Sequence, residues 1–365
     1  MIHPSCSLRV LMIGPSLESR GGMATVERQL VELLPENGVG VTFVPTYDDG
    51  GKAKKLAIAA RAYARFKKEL PSCDVVHVHM ASRGSYERKR VFIRRAKKAG
   101  RPVAIHLHGG EFGLWYDEEM SDAKREEVKR LFAVVDAVIV LSEEWRDWTA
   151  ERGFRARRAV VMHNGVNVPP QACTPCSHQD VLFLGRLDAR KSPDVLLRAS
   201  REALRANPSA RLVFGGDGNV GHYRNMAVEL GIADRCEFLG WVTGKDKERL
   251  FSEAGAYCLP SKNEGMPMSV LEAMAHGIPT IATPVGGVPQ VIEDGVDGFL
   301  IPVDDERRLS ELLCRLLGDP ELRRNVGSAG REKISREFDV EKNIARLVDL
   351  YSELTGIAAS VAHTE

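Results

Sequence analysis

No stretch of about 18 apolar residues occurs in this sequence, so a membrane-spanning helix is not expected. Its opening, MIHPSCSLRVLMIGPS, puts no charged segment ahead of a long apolar one, and a secretory leader is not expected either. Aromatic residues make up only 6%, and the basic stretches lack the interleaved rings on which bases stack, which argues against nucleic acid as a partner. The seven cysteines (Cys6, Cys73, Cys173, Cys176, Cys236, Cys258, Cys314) are odd in number and scattered, most of them inside apolar runs. That pattern fits reduced, buried thiols in a cytoplasm better than a disulfide framework. Cys173 and Cys176 form a C-x-x-C, but no second pair follows at zinc spacing, so they read as part of a linker. Also missing are a D-x-D to hold a divalent ion against a diphosphate, an H-E-x-x-H, a Ser-His-Asp or Cys-His arrangement, and a complete G-x-G-x-x-G opening a helix. No resident metal, cofactor or protein nucleophile is therefore expected, and NAD binding is not.

What remains is a chain of 365 residues, 44% apolar and 28% charged, long enough for two ordinary cores. Short Val- and Ile-rich runs alternate with segments of helical period. In the first half they are RVLMIGP, GVTFVPT, DVVHVHM, PVAIHLH, AVIVLS and AVVMHN. Helical stretches at Thr25–Leu34, Ala53–Lys68, Arg88–Lys98 and Ala123–Phe132 lie between them. The second half begins the alternation again with DVLFLGR, ARLVFGG, CEFLGW, AYCLPS, PTIATP and GFLIPV. Apolar strands separated by helices predict parallel sheets covered on both faces. VNVPPQACTPCSHQD, with three prolines and no periodicity, reads as a linker near 168–179. The expected architecture is α/β: a doubly wound, Rossmann-like domain over 1–170, a second over 171–340 facing it across a cleft, and a C-terminal helix in 341–365 that could pack back on the first.

The most informative segment is PSKNEGMPMSVLEAMAHGIPTIATPVGG. A strand runs into a loop holding Glu264 and Gly265, and Met268–Ala275 has helical propensity, with Gly277 placed to end it. The N-terminus of that helix offers unpaired backbone N–H groups and a partial positive charge, which together suit a phosphate. Glu264 on the loop and Glu272 along the helix could hold hydroxyls on either side of it, in the order sugar, diphosphate, ribose. Two glutamates at that spacing are also common on a solvated helix face.

The run from Glu264 to Gly287 resembles the donor-site segment of glycosyltransferase family 4, retaining enzymes of the two-domain GT-B fold. LGRLDARKSPDVLLRA, LVFGGDG, FLGWV and AYCLPS follow the same family in order, and Gly21–Gly22, HLHGGEF and HNGVN match it more loosely. Among such enzymes the chain is similar to those of bacterial exopolysaccharide and cell-envelope assembly. The resemblance implies transfer of a hexose-type sugar from a nucleotide-sugar, most often UDP-linked, to a glycan or lipid-linked acceptor, with retention and without a metal. It implies that Arg186 and Lys191 pair with the donor diphosphate and stabilise the leaving group. Glu264 would bond the sugar hydroxyls and Glu272 the ribose. Amides around Gly265, Met266, Met268 and Ser269 would complete the anion site, with Pro267 removing one donor where relatives often carry glycine. His108 would reach the sugar or the charge near the reacting carbon, and Gly21 and Gly22 would face the diphosphate or acceptor. His77, His79 and His106 alternate on two neighbouring strand ends; a metal cluster is conceivable, but two strands ending side by side account for the spacing, and His79 and His106 read as satisfied polar residues rather than catalysts.

A net charge of +1 conceals an asymmetry: residues 1–170 hold 28 Lys/Arg against 21 Asp/Glu, and 52–101 hold 16 against 3. In KAKKLAIAARAYARFKK, Leu56, Ala60, Tyr63 and Phe66 fall on one helical stripe surrounded by basic residues. That describes either a core-facing helix with a solvated rim or a dock for an anionic membrane surface, which would make the protein peripheral at the inner face of the membrane. Two further functions fit the same architecture, a nucleotide-sugar epimerase-like enzyme and an inactive nucleotide-sugar-binding subunit.

Overall fold

Twelve short Val-, Ile- and Leu-rich runs all form strands in the computed structural model, which describes residues 7–48, 51–170 and 179–359. Cys6 and the C-x-x-C of Cys173 and Cys176 lie outside those residues. The chain divides into two compact units, 1–165 with 340–365, and 166–339.

The first unit carries β1 (Leu8–Gly14), β2 (Val39–Pro45), β3 (Val75–Met80), β4 (Val103–Leu107), β5 (Ala137–Val140) and β6 (Ala159–Val161) in the order β2-β1-β3-β4-β5-β6. The second carries β7 (Asp180–Leu184), β8 (Leu212–Gly215), β9 (Cys236–Gly240), β10 (Ala254–Leu259), β11 (Thr280–Ala282) and β12 (Phe299–Leu300) in the order β12-β11-β10-β7-β8-β9. Every pairing is parallel. β3, β4, β5 and β10 are buried along their whole length, as strands covered by helices on both faces must be. In each sheet the order reverses once, between β1 and β3 and between β7 and β10. The crevice outside the carboxyl ends of strands at such a reversal is where doubly wound sheets bind ligands.

Local chemistry sets the helix ends. Ser142 and Ser121 cap the helices Glu143–Glu151 and Asp122–Ala133 by accepting from Trp145 N and Lys124 N. Asp305 and Asp319 do the same for Glu306–Gly318 and Pro320–Glu337, each taking up an amide that the first turn leaves unpaired. In the second unit the amphipathic helices Pro193–Ala206 and Glu306–Gly318 bury Leu196, Leu197, Leu204, Leu309, Leu313 and Leu316 and pack on one another. Val340–Thr355 returns the chain to the first unit, where it lies against β3 and the helix Gly22–Leu33 and buries Ile344, Leu347, Leu350 and Tyr351.

The basic helix spans Lys52–Glu69, but its apolar stripe is not the one expected. Ala62 and Phe66 are buried with Leu70, whereas Ala60 is exposed and Leu56 is 74% exposed. Alanines occur on every side of this helix, so packing under Phe66 turns its core face away from Leu56 and leaves that leucine among lysines. No helix among the described residues is long and apolar enough to cross a membrane. Cys73, Cys236, Cys258 and Cys314 are free thiols, with Cys73 and Cys258 buried.

Candidate functional site

The residues singled out in the second half converge on the reversal between β7 and β10. After β7, the turn from Gly185 to Ser192 is held by Asp188, whose Oδ1 accepts from Arg190 N at 3.2 Å and Lys191 N at 3.1 Å. This turn directs Lys191 inward, and its Nζ donates to Glu264 Oε1 on the loop after β10. The two side chains are only 13% and 6% exposed. Arg186 points outward, 64% exposed, with Nε 3.8 Å from Asp188 Oδ2.

Glycines let the neighbouring loops close on this turn. A Cβ at Gly216 would lie 1.8 Å from Gly185 O, and one at Gly218, where φ is +110°, would lie 2.5 Å from Leu187 O. Leu187 N donates to Asp217 O at 2.6 Å, and Asn219 N to Leu187 O at 2.9 Å. The GGDG sequence is thus a clasp between two strand-end loops, which explains its glycines without a dinucleotide. Gly286, at φ +57°, leaves no room for a Cβ beside Glu264 O, and Gly287 N donates to Gly265 O at 2.6 Å. The two glycines that close the T-P-V-G-G run therefore fix the backbone of the Glu264 loop, a role their sequence alone did not reveal.

The helix Met268–Ala275 follows, begun by Pro267 with no side-chain cap. It ends at Gly277, where φ is +77° and Ile278 N donates to Ala273 O. Met266 and Met268 are buried, and Ser269 hydrogen-bonds the Tyr257 hydroxyl, which in turn donates to Leu184 O at 3.2 Å. Glu272 accepts at Oε1 from Lys247 Nζ at 2.6 Å, while its buried Oε2 has no partner among the described residues. Lys247, on the helix Gly244–Glu253, was not a candidate from sequence; a lysine on a polar helix carries no signal until the fold brings it to a carboxylate 25 residues away. The arrangement therefore sets two carboxylate–ammonium pairs and an outward guanidinium around the start of one helix. Such groups match an anion flanked by hydroxyls.

Gly21, Gly22 and His108 lie in the first unit. Gly21, at φ +120° with open space around its α-carbon, caps the helix Gly22–Leu33. His108 follows β4 and is buried, its Nε2 2.8 Å from His79 Nδ1. His77, His79 and His106 share its sheet face, with His79 opposite His106 in register. Rings stack at centroid distances of 4.4 Å for His77–His79 and 5.0 Å for His79–His108. Burial holds all four below the usual imidazole pKa, His106 down to about 3. Of the two histidines expected to be satisfied polar residues, His79 bonds His108 through Nδ1, while its Nε2 and both nitrogens of His106 have no partner among the described residues. In the same unit Glu27 is fully buried against Gly14, and burial raises its carboxyl to about 8.

Two parallel, doubly wound units, each a six-stranded sheet with one reversal of strand order, define a GT-B type fold. Residues 20–168 match the family model "Glycosyltransferase Family 4" and residues 176–333 the model "Glycosyl transferases group 1", so the chain belongs to this glycosyltransferase family. D-inositol 3-phosphate glycosyltransferase from Saccharomonospora viridis is 33% identical over 64% of this chain and 54% of its own length. The chain thus spans about half of that curated relative. Among solved structures, sucrose-phosphate synthase from Thermosynechococcus elongatus superposes with a TM-score of 0.81 at 20% identity, covering 96% of this chain and 99% of the other. Anabaena HepE in complex with UDP-glucose gives 0.74 at 19% identity, covering 95% and 100%.

Proposed function

We propose that this glycosyltransferase takes a hexose-type sugar from a nucleotide-sugar donor, UDP-linked, and transfers it with retention and without a metal to a glycan or lipid-linked acceptor in polysaccharide or glycolipid assembly. The observation that carries the donor reading is the buried Lys191–Glu264 pair beside the N-terminus of Met268–Ala275. An ammonium and a carboxylate in contact suit the junction of a donor, where a charged phosphate meets neutral hydroxyls. Lys191, Arg186 and the helix amides take the diphosphate, with Gly265, Met266, Met268 and Ser269 supplying that backbone; Glu264 takes sugar hydroxyls and Glu272 the ribose. A fixed cation does here what a metal does elsewhere, so no cofactor is required. The UDP-glucose complex of HepE supports the choice of nucleotide.

In the transfer, the bond from the anomeric carbon to the phosphate oxygen breaks and its electrons stay on the phosphate. The acceptor oxygen forms its bond on the same face and passes its proton to that departing phosphate. Arg186, Lys191 and the helix N-terminus stabilise the charge that develops. His108, Gly21 and Gly22 are assigned to the same reaction from the first unit.

Lys191→Ala is expected to lose roughly a thousandfold in turnover while keeping its far-UV circular dichroism. Turnover within a few-fold of the parent would overturn the assignment. Consumption of UDP-sugar to an equilibrium without acceptor would instead identify an epimerase, and no reaction by the isolated chain a binding subunit. The basic segment 52–101, with Leu56 exposed among lysines, supports an anionic membrane surface as partner. Equal sedimentation with neutral and anionic vesicles at low salt would remove that partner.

A further inference from the structure

Four imidazoles form a two-by-two array on one face of the first sheet, His77 and His79 from β3 beside His106 from β4 and His108 just after it. Their bonding is uneven in an informative way. His77 uses Nδ1 toward the Tyr351 hydroxyl and His79 uses Nδ1 toward His108 Nε2, leaving Nε2 of both rings without a partner among the described residues. Among the described residues His106 has a partner on neither nitrogen. Orphaned polar atoms in a core are costly, and three adjacent rings sharing the defect call for one explanation.

We propose that His77, His79 and His106 form a divalent transition-metal site, of the zinc class, inside the first unit. The three rings each offer a nitrogen within 4.8 Å of the others. Metal–nitrogen bonds of about 2.0–2.1 Å place ligating nitrogens roughly 3.4 Å apart, so entry of the ion draws the rings inward by small rotations. The partners of the second nitrogens are those a metal site needs. In the tautomer in which Nδ1–H of His77 donates to the Tyr351 hydroxyl and Nδ1–H of His79 to His108 Nε2, both rings present an Nε2 lone pair to the ion. Burial keeps the rings neutral, the ligating form. Three neutral imidazoles leave a coordination position for water or a further ligand. Lys89, also buried, is a cation that acts on His79 and His108, and burial pushes its ammonium down to about 7. All three ligands belong to the first unit, and the proposal does not depend on the donor being UDP-linked.

The full chain, freed of any affinity tag and stripped with a chelator, is titrated with Co²⁺, whose visible ligand-field absorption reports coordination. Uptake of about one ion per chain, with the intense absorption of a four-coordinate site and displacement by Zn²⁺, is the expected result. His79→Asn and His106→Asn should each weaken binding at least tenfold, while the exposed His222→Asn leaves it unchanged. Where a strand variant fails to fold, Tyr351→Phe removes only the hydroxyl that orients His77 and is expected to weaken binding roughly tenfold. A parent chain without stoichiometric Co²⁺ absorption overturns the site, as does parent-like affinity in the folded histidine variants or in Tyr351→Phe.

Discussion

Lys191 and Glu264 illustrate how a residue pair can be structural and functional at once. Both are almost fully buried and touch each other, so removing one strands the other as an uncompensated charge. Lys191→Met alone is expected to cost about 3–5 kcal/mol by urea unfolding. Lys191→Met with Glu264→Gln, which removes both charges, should recover most of that stability and none of the turnover. Recovery of turnover with stability would mean that the lysine serves only to neutralise Glu264. Glu27 makes the opposite case, a carboxyl buried without a hydrogen-bond partner among the described residues. Its folded value of about 8 lies above the ordinary 4.5, with burial raising it against the opposing pull of Lys89 and Arg28. The folded state therefore holds this proton more tightly, and the contribution to stability is complete below about 4.5 and lost as pH rises through about 8. Glu27→Gln, neutral at every pH, should gain thermal stability over the parent at pH 8.5 and show little gain at pH 5. A loss at pH 8.5 would show instead that Glu27 is held as an ion pair with Lys89.

At the scale of elements, the loops after β7, β8, β10 and β11 owe their positions to glycines that admit a neighbouring backbone. Gly216 sits so close to Gly185 O that any side chain forces two strand ends apart. Gly216→Ala is expected to destabilise the second unit by more than about 2 kcal/mol. Gly153→Ala, with open space but φ at +75°, should cost only about 1 kcal/mol; equal urea midpoints for the two variants would refute the clasp. These elements also show what the sequence could and could not reveal. Parallel strands covered on both faces are short apolar runs set between helical segments, so the strands were legible even where, as in β6 and β9, they are only partly buried, and Gly277 marked the end of Met268–Ala275. The helix Lys52–Glu69 was legible as a helix but not in orientation, because alanines on several faces blur its period. The Lys191–Glu264 contact spans 73 residues and Lys247–Glu272 spans 25, and no periodicity encodes which loops a sheet reversal will bring together. The unpartnered nitrogens of the histidine array were hidden for the same reason. Alternation placed the rings on one face, but only the packing of Tyr351 and His108 decides which nitrogens are left over.

For the molecule as a whole, the decisive feature is that the first unit is discontinuous. The chain leaves it after Gly165, builds the second unit, and returns at Val340. Asn343 Nδ2 then donates to His163 O at 2.8 Å, and a side chain at Gly165 would collide with Val340. The returning helix supplies Ile344, Leu347 and Tyr351 to the core over β3, so the first sheet is not covered until the last residues are in place. The second unit closes its own core within 166–339 and has no such requirement. A chain ended after Asp339 should therefore lose the unfolding transition of the first unit and keep that of the second. Burial of the helix's apolar stripe is worth roughly 1.5–3 kcal/mol per large side chain, in sum comparable with the whole stability of an ordinary domain. If the donor groups of the second unit bind as proposed, UDP at about 100 times its Kd should still raise the remaining transition by roughly 2.7 kcal/mol. Retention of both transitions in the shortened chain would refute the dependence of the first unit on its returning helix. A second unit that unfolds without responding to UDP would place the nucleotide elsewhere.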